Sequence, residues 1–178
     1  MGVATRTSAA GRLAVKRATI ASVDISPVSL DDVAEVVAIE RRAFSDPWSV
    51  QSFREALSHP AVFFVCARKA ADRRSSVGEV AGYVVAWFVA DEGEIANLAV
   101  DPSGWGTGVG QALLDAALAE GRRRGTTAVY LEVRDSNERA RKLYHSRLFE
   151  EVGRRRSYYQ HPVEDAIVLR RMLKQSDV

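Results

Sequence analysis

Glycine stands at positions 104, 106, 108 and 110 in the run from Asp101 to Gln111, Asp-Pro-Ser-Gly-Trp-Gly-Thr-Gly-Val-Gly-Gln. The run lies between a segment that reads as a strand and one that reads as a helix. Backbone N–H groups in such a loop can close on a phosphate with no side chain in the way. The first turn of the following helix adds unpaired donors and the positive end of its dipole, so a pyrophosphate held there needs no dedicated Arg or Lys. Two familiar loops fit poorly: a P-loop requires Gly-Lys-Ser/Thr, and the dinucleotide fingerprint sets its last two glycines three positions apart. A flexible turn before a helix is the competing reading, and the surrounding chain has to choose between them.

Metal and disulfide chemistry have little to build on. Cys66 is the only cysteine, which rules out an internal disulfide and a cysteine-based zinc cluster, and fits a reducing cytoplasm. In an apolar strand it reads as a small buried hydrophobe. His59, His145 and His161 share no ligand spacing, so no metal is expected. A formal charge of +2 gives no footprint for nucleic acid or for an anionic membrane surface. With 178 residues, 47% of them hydrophobic, the chain can bury one core but not two. The expected organisation is a disordered leader at 1–17, one domain at 18–174 and a short tail at 175–178. The leader lacks the apolar run of a signal peptide or membrane anchor, and Arg6 stands where a myristoylation motif wants Ser or Thr.

The elements that must carry the loop follow from periodicity and punctuation. A strand is expected at 18–25. A helix capped by Ser29 follows, with Val33, Val36, Val37 and Phe44 on one face, ended by Asp46 and Pro47. Ser49 caps a second short helix to about Leu57. The apolar run 61–67 is a strand, 69–78 a loop, and 79–89 part of a β-hairpin with a turn at 91–93. A strand at 94–100 feeds the glycine run. The helix beyond it, with Val109, Leu113, Leu114, Ala117 and Leu118 at helical spacing, stops at Gly125. A strand at 128–133, a short helix at 137–146 and strands at 150–158 and 164–172 finish the chain. Hairpins mixed with crossover helices describe an α/β (α+β) domain around one mixed sheet.

The residues now bring a family into view. Asn97-Leu-Ala-Val-Asp-Pro followed by Gly108-Val-Gly-Gln-Ala-Leu-Leu resembles the acyl-CoA-binding strand, loop and helix of the GNAT acetyltransferases. Tyr130-Leu-Glu-Val-Arg-Asp-Ser-Asn137, Leu143-Tyr144, Leu148-Phe149, Arg155-Arg-Ser-Tyr158-Tyr159, Glu164-Asp-Ala-Ile and Asp46-Pro-Trp-Ser49 resemble its ribosomal-protein-alanine N-acetyltransferase subfamily. The resemblance runs from about Ala18 to Met172. It implies the GNAT fold, a central, mostly antiparallel twisted sheet of about seven strands flanked by about four helices. It further implies acetyl-CoA as co-substrate and transfer to a protein's N-terminal α-amine, that of a ribosomal protein's alanine. Residue by residue, Leu98, Ala99 and Val100 would offer backbone hydrogen bonds to pantetheine, and Gly106, Thr107, Gly108, Val109, Gly110 and Gln111 would hold the pyrophosphate. Asn137 would touch the cofactor, Glu132 would be the proton acceptor and Tyr144 the proton donor. One departure stands out: the family's loop carries Gln or Arg followed by a basic residue where this chain has Trp105 and Gly106.

The chemistry suits those types. A protein N-terminus has a pKa near ~8 and needs a base before it can attack a thioester. Strand alternation puts Val129, Leu131 and Val133 on one face and Tyr130 and Glu132 on the other, so the backbone aims the carboxylate. A phenol can return a proton to the leaving thiolate. Read singly, Glu132 is a surface ion-pair partner for Arg134 or Arg139, Tyr144 a packing residue, and Glu94 a rival base. Tyr158 and Tyr159 border the peptide groove in the resembled family, and Trp48 and Phe53 read as packing. The remaining function classes are a GNAT acting on a lysine side chain or small-molecule amine, and a noncatalytic acyl-CoA-binding module. A monomer or weak dimer with a protein N-terminus as partner is expected, without nucleic acid or membrane.

Overall fold

The computed structural model describes residues 23–69 and 78–173. The expected leader, the start of the strand at 18–25, most of the loop at 69–78 and the tail lie outside those residues. The strands are β1 (Asp24–Pro27), β2 (Val62–Arg68), β3 (Val80–Val89), β4 (Glu92–Val100), β5 (Ala128–Arg134), β6 (Glu150–Gln160) and β7 (Val163–Met172). The helices are α1 (Val33–Ala43), α2 (Val50–Ser58), α3 (Val109–Arg123) and α4 (Glu138–His145). The strands form one sheet in the order β1-β2-β3-β4-β5-β7-β6. Every pairing is antiparallel except β4 with β5.

Local chemistry sets the helix ends. The Ser29 backbone N–H and hydroxyl both donate to Asp32 at 2.8 Å, and a single 3-10 turn over Leu30–Asp32 precedes α1. The Ser49 hydroxyl accepts from the Ser52 N–H at 3.0 Å, and Asn137 accepts from the Ala140 N–H at 3.1 Å. Gly125, at φ +79°, turns the chain out of α3, a conformation costly for residues with a Cβ. The hairpin turn falls one residue earlier than expected: Ala90 takes φ +53°, so β4 already begins at Glu92.

Alternation sorts β2 and β3 onto two cores. Val65, Ala67, Val84 and Ala86 pack with Leu113, Leu114 and Leu118 of α3. Phe64, Cys66, Tyr83 and Val85 face α1 and α2 on the other side. Cys66 is fully buried, and that burial pushes its thiol above the ordinary range. Phe53, also fully buried, meets Trp48, Phe64 and Tyr83 with ring centroids 5.4, 5.8 and 5.5 Å away.

Two irregularities shape the centre. Val85 pairs with Asn97 but Ala86 with Ile95, which leaves Ala96 as an extra residue that bends β4. β4 and β5 pair only from Glu92 opposite Ala128 to Ile95 opposite Leu131, although both strands run on. Beyond that point they part.

Candidate active site

The parting of β4 and β5 opens a groove of about 520 Å³. Its walls come from the end of α1 and the segment after it (Phe44, Asp46, Trp48), from β4 and β5, from α4 (Ala140, Tyr144), and from the end of β6 (Tyr158, Tyr159). Two ties reach the segment after α1 from across the groove, one from the end of β5 and one from the β6–β7 turn. The Arg134 guanidinium donates to the Ser45 hydroxyl at 2.7 Å, and His161 Nδ1 lies 3.4 Å from Asp46.

Glu132 faces this groove as alternation requires. Its partner is neither Arg134 nor Arg139 but Arg155, whose Nε lies 2.7 Å away. The Tyr158 hydroxyl also bonds Glu132, and that bond raises the phenol's pKa. Tyr158 and Arg155 therefore hold the carboxylate from the outer strand, and Glu132 lines the groove with acceptor capacity to spare. Tyr144 is buried, 6% exposed, and its ring meets Phe149 at 5.8 Å. Burial lifts its pKa well above that of free tyrosine, so it carries its proton at neutral pH. Among the described residues its hydroxyl has no hydrogen-bond partner, and the side chain lines the groove. Glu94 lines the groove too, and with Glu132 it borders a neighbouring cavity of about 580 Å³ that also takes in Trp87 and Tyr130. The two carboxylates thus share one face of the sheet.

Glu40 is a member of the site that sequence reasoning missed. It is 1% exposed yet lines the groove. It accepts from the Tyr83 hydroxyl, from Asn97 Nδ2 at 3.0 and 3.2 Å, and from the Trp48 backbone N–H at 2.8 Å. It links α1, the bulged strand and the aromatic wall. Burial and the neighbouring Glu40 carboxylate push the Tyr83 phenol up. The signal was present: Glu40 falls at i+7 from Val33 and i+4 from Val36, a charge in the apolar stripe.

At the far end of β4, the glycine run offers its backbone. Among the described residues, the N–H groups of Gly106, Gly108, Val109, Gly110 and Gln111 have no acceptor. Gly106 and Gly108 take φ +76° and +94°, and a Cβ at Gly106 would meet nothing within 4 Å, so the loop is open on that side. Free donors at a helix N-terminus fit a pyrophosphate. Leu98, Ala99 and Val100 lie on the length of β4 that β5 does not pair; the Val100 carbonyl is taken by the Trp105 indole N–H at 3.0 Å. Asn137 spends its side-chain oxygen on capping α4, leaving its NH2 group toward the groove.

Residues 33–148 match the model of the acetyltransferase (GNAT) family. The chain belongs to that family. The Escherichia coli [ribosomal protein bS18]-alanine N-acetyltransferase is 34% identical over 147 residues, covering 82% of this chain and 94% of that protein. The crystal structure of the Escherichia coli ribosomal-protein-S18-alanine N-acetyltransferase superposes with a TM-score of 0.75 at 31% identity, over 88% of this chain and 98% of that one. A chain of the NatC complex bound to Gag peptide and CoA shares the fold at 22% identity, with a TM-score of 0.74 over 85% of this chain and 99% of that one. The protein is an N-acetyltransferase of the GNAT fold. Among the described residues, no helix is long and apolar enough to cross a membrane.

Proposed function

We propose that this GNAT enzyme moves the acetyl group of acetyl-CoA onto the N-terminal α-amine of a protein, and that its substrate is a ribosomal protein beginning with alanine. The observation that carries the reading is the meeting of Glu132, from β5, and Tyr144, from α4, in the groove opened by the parting of β4 and β5. The name of the Escherichia coli relative, which the chain matches over 94% of that protein's length, supports the substrate class.

Acetyl-CoA supplies an acyl group on a thiol of low enough pKa to leave. The chain's own residues do the rest. Glu132 takes a proton from the incoming ammonium, directly or through a water, so that the nitrogen lone pair is free to attack. Arg155 and Tyr158 keep the carboxylate in place while it does so. As the C–S bond breaks, Tyr144 gives its proton to the sulfur. A phenol that burial keeps protonated is the form able to do this. Trp48, Tyr158 and Tyr159 wall the entrance for the first residues of the polypeptide, while unpaired β4 offers backbone groups to pantetheine and the 106–111 loop offers its donors to the pyrophosphate.

The test uses the purified protein, acetyl-CoA and peptides copying ribosomal-protein N-termini, each with a free or blocked α-amine, with the acetyl group located by mass spectrometry. Acetylation of the free α-amine, lost on blocking and reduced on the order of 10²–10⁴-fold in kcat by Glu132→Gln and by Tyr144→Phe, is the expected result. Acetyl on lysine side chains would move the substrate class. Full activity in either variant would remove that residue's role.

A further inference from the structure

A loop that meets phosphates with backbone alone still leaves several negative charges to be balanced. From Asp101 to Gln111 the sequence contains no Lys or Arg, and its one charged residue is Asp101. Among the described residues, three cations touch the loop from outside. Arg42 reaches Asp101 at 2.6 Å and is occupied by it. Lys69 lies 3.3 Å from the Ser103 hydroxyl and pairs with Glu79 at 2.8 Å. The third is Arg139, in the first turn of α4, whose guanidinium carbon lies 3.8 Å from the centroid of the Trp105 ring. Among the described residues Arg139 makes no ion pair and no hydrogen bond. It alone of the three has no carboxylate partner.

Trp105 is a fixed platform. Its indole N–H donates to the Val100 carbonyl at 3.0 Å, which pins the ring against the end of β4, although the side chain is half exposed. An arginine stacked on an indole keeps its five N–H donors in the guanidinium's own plane, directed away from the ring face and free for an anion. The pairing also fixes where the charge stands. α4 already lies against the loop, since a Cβ at Gly110 would be 3.4 Å from the Leu143 side chain, and the stack adds a second tie at the mouth between the β4 and β5 ends. The loop's own free N–H groups, those of Gly106, Gly108, Val109, Gly110 and Gln111, follow Trp105 directly in the chain.

We infer that Arg139, held by stacking on Trp105, is the cation that binds the phosphates of CoA in this protein, in place of a basic residue within the loop. The inference rests on the acetyl-CoA reading above and assigns it a residue. The guanidinium contributes a charge-assisted bond to a phosphate oxygen, and Trp105 spares it the cost of ordering a long side chain on binding. Neither Trp105 nor Arg139 lines the groove that holds Glu132 and Tyr144, so the effect of the stack falls on cofactor affinity and leaves the acetyl-transfer step alone.

The experiment is direct binding of CoA and of dephospho-CoA by titration calorimetry, at low and moderate salt, to the native protein and to Arg139→Gln, Arg139→Lys and Trp105→Ala, with thermal melting as a check on folding. Arg139→Gln is expected to weaken CoA binding on the order of tenfold, the worth of one charge-assisted hydrogen bond, and to flatten its salt dependence. Trp105→Ala follows in the same direction, and Arg139→Lys recovers part of the affinity. An equal loss for CoA and dephospho-CoA assigns the contact to the pyrophosphate; a loss confined to CoA assigns it to the 3′-phosphate. Native-like affinity and salt slope in Arg139→Gln would overturn the inference while leaving the acetyl-CoA reading intact. Failure of the native protein to bind CoA at all would overturn that reading, and this one with it.

Discussion

Replacing Glu40 by alanine tests whether the buried carboxylate holds the groove together. Glu40 is 1% exposed and is the acceptor for the Tyr83 hydroxyl and for Asn97 Nδ2, both in buried residues, and for the Trp48 N–H nearer the surface. Removing it leaves two buried donors without partners, at about 1–3 kcal/mol each, or roughly 2–6 kcal/mol together. Trp48 can turn to water and is left out of that sum. For a domain of this size each kcal/mol moves the melting temperature by about 2–4 °C, so a drop of roughly 5–20 °C is expected in a calorimetric or circular dichroism melt. Glu40→Gln separates loss of the acceptor from loss of packing. Its carbonyl can keep Trp48 and Asn97 at the Oε1 position, and its amide can donate to the Tyr83 oxygen, with the 3.2 Å contact from Asn97 and the acceptor for the Tyr83 proton lost against it. That variant should cost about 1–2 kcal/mol. The reasoning is refuted if Glu40→Ala melts within ~2 °C of the native protein, or if the two variants lose the same amount.

Acid titration gives a second check. A hydrogen bond from Arg123, followed by one from Arg124, draws Glu120 down to about 2. A depressed carboxylate stabilises the fold above its unfolded pKa and loses that contribution as pH falls through the folded one. Glu120→Gln should therefore cost about 1 kcal/mol at neutral pH, since Arg123 is solvent-exposed, and its melting point should converge on the native one between about pH 4.5 and 2. Gly82→Ala tests how closely β3 and β4 approach: a Cβ there would lie 2.7 Å from the Ala99 carbonyl and 3.2 Å from Leu113. A loss of about 1–3 kcal/mol in denaturant unfolding is expected, with weaker CoA binding because β4 must shift.

Sequence was informative wherever one residue's own chemistry decides the outcome. Ser49 caps α2 because its side-chain oxygen accepts from a backbone N–H three residues on, Ser29 starts its helix through an N–H and a hydroxyl that both find Asp32, and Gly125 ends α3 because it tolerates positive φ. The alternation that aims Glu132 into the groove has the same local origin. The hairpin turn was misplaced because Ala90, a residue with a Cβ, takes a positive φ that its type does not announce. Arg155 was missed as the partner of Glu132 for a different reason. β7 lies between β5 and β6, and the register shift between Arg155 and Tyr159 decides which outer-strand side chains lean across it. The groove itself was illegible, since a gap in strand pairing leaves no mark on either strand's sequence. Glu40 had left a mark, a lone acid on an apolar stripe, but its partners on β3 and β4 are known only once the helix is packed.

The four residue pairs that join β4 to β5 also divide the molecule by assembly order. On one side, β1 to β4 form a run of neighbours in sequence; on the other, β6 and β7 make a hairpin onto which β5 closes. Each half is wired mainly by near-neighbour contacts, whereas the seam between them is parallel and is reached only through α3, so its loop-closure entropy is overcome last. Neither half contains the groove. Catalytic competence is therefore expected to return in refolding no earlier than the docking of the two halves.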